Sequence, residues 1–443
     1  MLYLACEASA YARAMCCVSM ASGPQEEGEG AEMTRPDVPI HDPALRRAFA
    51  EDARAQIAFF RQSLNDQGGF DLLDHHGAPI PGHPQELHVT TRMIHSYALA
   101  HAWGEMDCQP MIDAGLAALW SRHRDLEFGG YAWSITADGF EDTTKLAYGH
   151  VFVLLAASSA MAVGHEDAPR LMQDIGQIID RHFWDEERGL LREEYGRDWS
   201  VISQYRGMNA NMHGAEALMA AHEATGREVF LHRAGRILRF FTAQLAPENG
   251  WRIPEHFTAE WAIDHGFEGN PMFRPAGTTP GHALECARLI LQHRDLSGQA
   301  EDDTARIARA LIETALSDAW RADGGLAYTV DRTGQVLRPD RYWWPVTEGI
   351  GALAALMKCD PRDTDSDWFL RLWDVAQTHF IDHARGGWYP EIGRDGQPRA
   401  QQFIGKPDIY HSLQAMLYPL CPRNAHMLRA LEAGQSARPH QPT

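Results

Sequence analysis

A short signature, glycine followed by an aromatic or aliphatic residue, recurs as Gly68-Gly69-Phe70, Gly129-Gly130-Tyr131, Gly189-Leu190-Leu191, Gly250-Trp251, Gly324-Gly325-Leu326 and Gly386-Gly387-Trp388. The copies stand roughly 60 residues apart, with one wider gap of about 75 before Gly324, and self-similarity at a nearly fixed interval marks a repeat architecture. Between copies, apolar residues recur at helical spacing over 45–64, 91–103, 146–162, 215–224, 282–293 and 307–320. Each interval therefore predicts two helices and a short extended link such as Gly130-Tyr131-Ala132-Trp133. A helical pair with one apolar face cannot hide that face alone, so successive pairs must pack on each other. Six copies can form an open solenoid or close into a ring. Closure is favoured because polar, chemistry-bearing residues gather near the starts of alternate helices only. The expected fold is all-α: an (α/α)6 toroid of six helical hairpins whose inner helices converge on one pocket.

One domain over residues 40–425 is expected, larger than the usual single core but normal for a closed ring. Residues 1–32 differ from the rest: 1–23 are apolar and rich in Cys and Met, and 24–32 are acidic and glycine-rich. Glu7 and Arg13 interrupt the apolar stretch, so it does not read as a secretory signal. A disordered extension is expected there, with Met33 a natural start, and a C-terminal tail over 426–443. The formal net charge of -20 argues against nucleic acid and anionic membranes as partners, since both would repel the chain. No apolar run approaches the ~20 residues that span a bilayer. Seven cysteines without a C-x-x-C pair suggest neither a disulfide framework nor a structural zinc site, and a reducing cytoplasm fits.

The inner helices carry the candidate chemistry. Arg92 belongs to the first, Lys145, Tyr148 and His150 to the second, and Asn209-Ala210-Asn211-Met212-His213-Gly214-Ala215-Glu216 to the third. The fourth reads Pro280-Gly281-His282-Ala283-Leu284-Glu285, the fifth Trp343-Trp344-Pro345-Val346-Thr347-Glu348, and the last Pro407-Asp408-Ile409-Tyr410-His411. His213 and Glu216, like His282 and Glu285, stand at i and i+3, which puts both side chains on one helix face where a carboxylate can accept an imidazole N–H. Such a bond fixes the tautomer and raises the basicity of the other ring nitrogen. One such pair alone reads as a surface feature; its repetition in successive repeats points to a site. A histidine with an unperturbed pKa of about 6.5 takes up and returns a proton near neutral pH. That suits enediol chemistry at C2 and C1 of an opened sugar, with a cation such as Arg92 holding O1 or O2, although a structural salt bridge suits a lone arginine equally. Trp343, Trp344 and Tyr410 can stack on a sugar face, but aromatic residues at helical spacing are more often core. The 23 histidines form neither H-x-H nor H-E-x-x-H, so metal is disfavoured and no cofactor is expected.

Taken together these motifs resemble the N-acylglucosamine 2-epimerase superfamily, over about 48–420. The resemblance is carried by Thr91-Arg92-Met93 with His95 and Tyr97, by Tyr205-Arg206-Gly207 leading into Asn209 to His213, by Pro280-Gly281-His282-x-x-Glu285, by Trp344-Pro345-x-x-Glu348, and by Asp408-Ile409-Tyr410-His411. It implies an (α/α)6 barrel with metal-free acid/base chemistry by His282 and His411. His411 would be the base at C2, and His282 would open the ring and return the proton. Arg92, Asn211, His213, Glu216, Arg274, Glu285 and Trp344 would line the pocket. The isomerase branch of the superfamily is the nearer one. Where its sulfosugar members carry glutamines against the sulfonate, this chain has Pro390 and Pro407, whose side chains offer no donor. The implied substrate is therefore a neutral monosaccharide, D-mannose going to D-fructose, with D-lyxose to D-xylulose as a side activity. His88 stands where related isomerases carry Trp. The alternatives are a 2-epimerase of a free aldose or disaccharide, a sulfoquinovose isomerase, a glycoside hydrolase using Glu285 and Asp408, and a non-catalytic scaffold. A homodimer is compatible with each.

Overall fold

The computed structural model describes residues 38–299 and 303–436. In chain order its principal helices are α1 (Pro43–Phe60), α2 (Leu87–Ala102), α3 (Gln109–Ala118), α4 (Ala147–Ala162), α5 (Ala168–Ile178), α6 (Met208–Thr225) and α7 (Glu228–Leu238). They continue with α8 (Pro280–Ser297), α9 (Thr304–Ala319), α10 (Trp343–Met357), α11 (Asp363–Val375), α12 (Tyr410–Leu417) and α13 (Met427–Ser436). Among α1 to α12, odd helices form an outer layer and even helices an inner one. Burial follows from sequence. In α5 only Ala168, Leu171, Met172 and Ile175 are buried, the i, i+3, i+4, i+7 stripe of a helix with one wet face. Every residue of α10 is buried, Glu348 included, in keeping with a composition that is otherwise apolar and small. Each inner helix packs on the next, and α12 packs on both α1 and α2, so the ring closes. This is the (α/α)6 toroid.

The glycine signature has a mechanical role. Gly69, Gly130, Gly189, Gly250, Gly325 and Gly387 have φ between +62° and +83°, a left-handed backbone that costs glycine little and other residues more. Each reverses the chain after an outer helix and starts an extended link. That link then binds the start of the preceding inner helix: the N–H groups of Leu87, Ala147, Met208 and Trp343 donate to the carbonyls of Trp133, Glu193, Glu255 and Pro390 at 2.7–3.2 Å. Thr278 pairs with Val330 before α8, and Lys406 pairs with Leu73 before α12, which ties the last repeat to the first. The same link in all six repeats brings the first turns of the inner helices to one end of the ring.

The expected 1–32 extension lies outside the described residues. Within the segment expected as a tail, α13 buries Leu431 and packs Met427 and Leu428 against the core. Among the described residues no helix is long and apolar enough to cross a membrane.

Candidate active site

The first turns of the even-numbered helices enclose a cavity of about 250 Å³. His282 and His411 both line it, as do Arg92, His213, Glu285 and Trp344. Each of the two histidines has its own carboxylate: His282 Nδ1 lies 2.9 and 3.0 Å from the two oxygens of Glu255, and His411 Nδ1 lies 2.8 Å from Glu348 Oε1. A carboxylate only accepts, so Nδ1 carries the proton in both rings and Nε2 keeps its lone pair. The rings flank one indole, with Trp344 centred 5.0 Å from His282 and 5.8 Å from His411. A Cβ on Gly281 would come within 2.4 Å of that indole, so the glycine beside His282 is what lets Trp344 approach.

Beneath the cavity floor lies a buried charge cluster. The Arg288 guanidinium stands 3.5 Å from Glu216, 3.6 Å from Glu285 and 3.3 Å from Glu348. Three carboxylates around one cation do not all ionise. Burial, reinforced by Glu348, raises the Glu285 carboxyl well above its ordinary range. For Glu348 burial acts in the same direction, but Arg288 and the hydrogen bond from His411 overcome it and hold the group ionised. Burial lowers the His213 imidazole to about 3, even beside Glu216, so it stays neutral. His411 is lowered by burial as well, opposed by Glu348. Arg92 Nη2 donates to Tyr148 Oη at 2.8 Å, and its Nη1 lies 3.3 Å from Asp408. It is thus both a salt-bridge partner and a fixed positive wall of the cavity.

Two triads, His213 with Glu216 and Glu285, and Glu285 with Glu348 and His411, each bring ligand-type atoms within 4.8 Å of one another. A divalent ion at either triad would compete with charges already in place. Arg288 already stands among these carboxylates as a cation, and burial raises the Glu285 carboxyl. The His411 nitrogen nearest the carboxylates carries a proton.

Several expected positions come out differently. His282 does not pair with Glu285; its partner is Glu255, which arrives from the link before α8, while Glu285 turns downward to Arg288 and stands 3.5 Å from His213 Nδ1. The i, i+3 pair His213 and Glu216 does meet, at 3.7 Å. Glu216 sits below the cavity, where it accepts from the Tyr410 hydroxyl. Asn211 is not a pocket residue: its amide bonds Leu191 N–H, Leu191 C=O and Gly207 C=O at 2.7, 3.3 and 2.9 Å, pinning a link to α6. Arg274 is likewise turned away, with Nη2 2.7 Å from Glu194. Lys145 and His150 are buried structural groups, bonded to Asp125 and to the Leu146 carbonyl. His88 lines the cavity and stacks on Trp133, with centroids 5.0 Å apart and planes 6° apart, so an imidazole backed by an indole forms an aromatic wall there. Glu255 and Arg288 were not anticipated. Arg288 carried a signal, standing at i+3 from Glu285; Glu255 carried none in helical spacing, because it is not on a helix.

Residues 68–415 match the N-acylglucosamine 2-epimerase (GlcNAc 2-epimerase) family. Over 396 residues the chain is 36% identical to a D-mannose isomerase of Thermobifida fusca, covering 88% of this chain and 97% of that one. A crystal structure of D-mannose isomerase superposes with a TM-score of 0.80 at 30% identity, covering 86% of this chain and 99% of that chain. The cellobiose 2-epimerase of Spirochaeta thermophila DSM 6192 superposes with a TM-score of 0.76 over 89% of this chain and 98% of its own; at 19% identity that likeness speaks for the fold alone. With the family match spanning most of the ring and enclosing both carboxylate-backed histidines, the chain belongs to the N-acylglucosamine 2-epimerase family.

Proposed function

We propose that the protein is an aldose–ketose isomerase that interconverts D-mannose and D-fructose by proton transfer through a cis-enediol, without a metal ion. D-Lyxose and D-xylulose are a second, slower pair. The observation that carries this reading is the placement of two imidazoles, each backed by a buried carboxylate, beside Trp344 in one cavity.

In the proposed cycle the Nε2 lone pair of His282 accepts the O1 hydroxyl proton and passes it to the ring oxygen, and the pyranose opens to the aldehyde. His411 Nε2 then removes the C2 proton, the electron pair forms the C1–C2 double bond, and charge collects on O1. Arg92 stabilises that charge as a fixed cation in a site sheltered from water. His411 then gives its proton to O1, while His282 takes the O2 proton and delivers it to C1, which leaves the carbonyl at C2, so protons only move and nothing is oxidised overall. Pro407 on the cavity wall offers no donor to a charged C6 substituent, which favours a neutral sugar. A cytoplasmic setting belongs to the same reading.

The test is proton NMR of D-mannose incubated with the protein. Fructose is the expected product. Glucose formed without fructose would replace the isomerase reading with a 2-epimerase, and no change in free mannose would remove both.

A further inference from the structure

The polar face of the inner helices continues below the catalytic cavity. Three residues past Arg92, His213, Glu285 and His411, which line that cavity, stand His95, Glu216, Arg288 and Gln414. Side chains three apart share a helix face, so the face runs on from the catalytic cavity towards the other end of the ring. There all four of the later residues border a second space of about 60 Å³. The outer wall of that space is α13, through Met427, Leu428 and Arg429. Glu223 near the end of α6 holds this helix: its Oε1 accepts from the His426 N–H, and its carbonyl from Arg429 Nη2, each at 3.1 Å.

Two polar atoms at this space lack partners. His95 Nδ1 lies 2.7 Å from Ser159 Oγ, whose hydroxyl donates to the Leu155 carbonyl at 2.9 Å. The hydroxyl proton is therefore engaged, the imidazole donates through Nδ1–H, and Nε2 keeps a lone pair. Burial lowers this imidazole to about 4, so it is neutral near pH 7. His95 Nε2 and Gln414 Nε2 have no hydrogen-bond partner among the described residues, although each residue is only 6% exposed. Buried polar atoms of this kind are costly unless something satisfies them. One is an acceptor and the other a donor. An anion would face the lone pair and a cation the amide N–H, whereas water can serve both. Glu216 adds a demand for donors: burial opposes its ionisation, His213 and Arg288 sustain it, and it shares that one guanidinium with Glu348.

We propose that this space is a binding site for internal water, a cluster that joins His95 Nε2 to Gln414 Nε2 and hydrates Glu216 and Arg288 from below, with α13 as its lid. At ~10–15 Å³ for each molecule, up to about four fit. The charge cluster behind His411 is thereby solvated from the side opposite the catalytic cavity. Two carboxylates can then share one guanidinium without bulk water entering where the sugar reacts. None of this depends on which reaction runs at the other end of the ring.

Crystals of the wild-type protein that order solvent should show water within ~3.2 Å of both His95 Nε2 and Gln414 Nε2. In solution, Gln414→Met keeps the length of the side chain and removes its amide. With water bonded there, the variant loses that bond, and its unfolding equilibrium constant should rise roughly 5-fold, the scale of one net hydrogen bond. An amide that is merely unpaired gives the opposite sign, because its removal stabilises the fold. The lid is read by deuteron relaxation dispersion of water: Leu431→Ala, which loosens the buried anchor of α13, should shorten the residence of long-lived internal water seen in the wild type. No water at the two atoms, or a Gln414→Met variant at least as stable as the wild type, overturns the site. A residence time that Leu431→Ala leaves unchanged overturns the lid. The wild-type crystal decides even if Gln414→Met fails to fold. Turnover enters none of these measurements, so a failure here is distinct from a failure of the isomerase reading.

Discussion

Glu348 joins His411 to Arg288: its Oε1 lies 2.8 Å from the imidazole Nδ1, and its Oε2 lies 3.3 Å from the guanidinium. The proposed base is therefore tuned from two sides. Burial lowers the pKa of His411, and Glu348 opposes that fall. Activity requires the neutral ring, so it should be lost only as pH falls through a value below the ordinary 6.5 of histidine. Glu348→Gln removes the opposing charge while keeping the shape. The imidazole then becomes a weaker base with a still lower pKa, so kcat should drop ~10–100-fold and the acid limb of the kcat/KM profile should move to lower pH. A profile that only loses height, with its limb in place, would reduce Glu348 to a structural support.

The two histidines should be separable from the rest of the cluster. His282→Ala and His411→Ala should each cut turnover at least ~100-fold, the usual scale for a general acid or base. Glu255→Gln should mimic a mild form of His282→Ala, because the carboxylate backs that ring. The informative measurement is exchange of the C2 hydrogen of mannose with deuterated solvent. His411→Ala should abolish it, while His282→Ala should slow it less when the experiment is begun from a sugar already supplied in its open-chain form. Equal loss of exchange in both variants would mean the roles are not divided as proposed.

The ring and the site were legible in the sequence to different degrees, for a physical reason. The toroid is a statistical property of the whole chain: six glycine turns and alternating helices repeat the same solution, so each copy supports the others. His282, His411, Arg92 and Trp344 could be found because they lie on the first turns of inner helices, where position along the helix fixes direction. Glu255 could not. It reaches His282 across 27 residues from a link with no period of its own, and only the pairing of that link with α6 places it. Asn211 misled for the opposite reason. It sits one helix face away from His213, and an amide there satisfies three backbone groups that would otherwise be buried without partners.

Metal dependence gives a direct test of the electrostatic argument. If Arg288 supplies the positive charge that the carboxylates need, prolonged dialysis against a strong chelator should leave wild-type turnover unchanged. Activity that collapses and returns with manganese or zinc would show the cluster to be a metal site after all. Arg288→Met should behave differently from the chelated wild type. It strands Glu216 and Glu348 as unpaired buried charges, and breaking a buried ion cluster in this way costs ~3–5 kcal/mol, read as a fall in the denaturation midpoint.

Acid stability follows from the neutral histidines of the interior. Burial lowers His150 and His213 to about 3, and His95 and His123 to about 4. A histidine depressed in the folded state contributes stability that is complete above its unfolded pKa of about 6.5 and is lost as pH falls toward the folded value. Four carboxyls work against this trend. Burial raises Asp52 to about 6 and Glu193 to about 7, and it raises Glu86 and Glu285 as well, so all of these take up protons more readily folded than unfolded; the cost of their burial is felt at neutral pH and relieved as they protonate. Burial also lowers His75, His88, His182, His256 and His411, so the histidines outweigh the carboxyls and leave a net loss on going from pH 7 to pH 5, each of the first four histidines contributing on the order of 1–2 kcal/mol. The urea midpoint should therefore fall over that interval. Asp52→Asn, which keeps an acceptor for the Trp388 N–H but cannot titrate, should steepen the fall by removing one opposing group. A midpoint that rises toward pH 5, or a slope that Asp52→Asn leaves untouched, would show that the interior histidines do not set the acid limit of the fold.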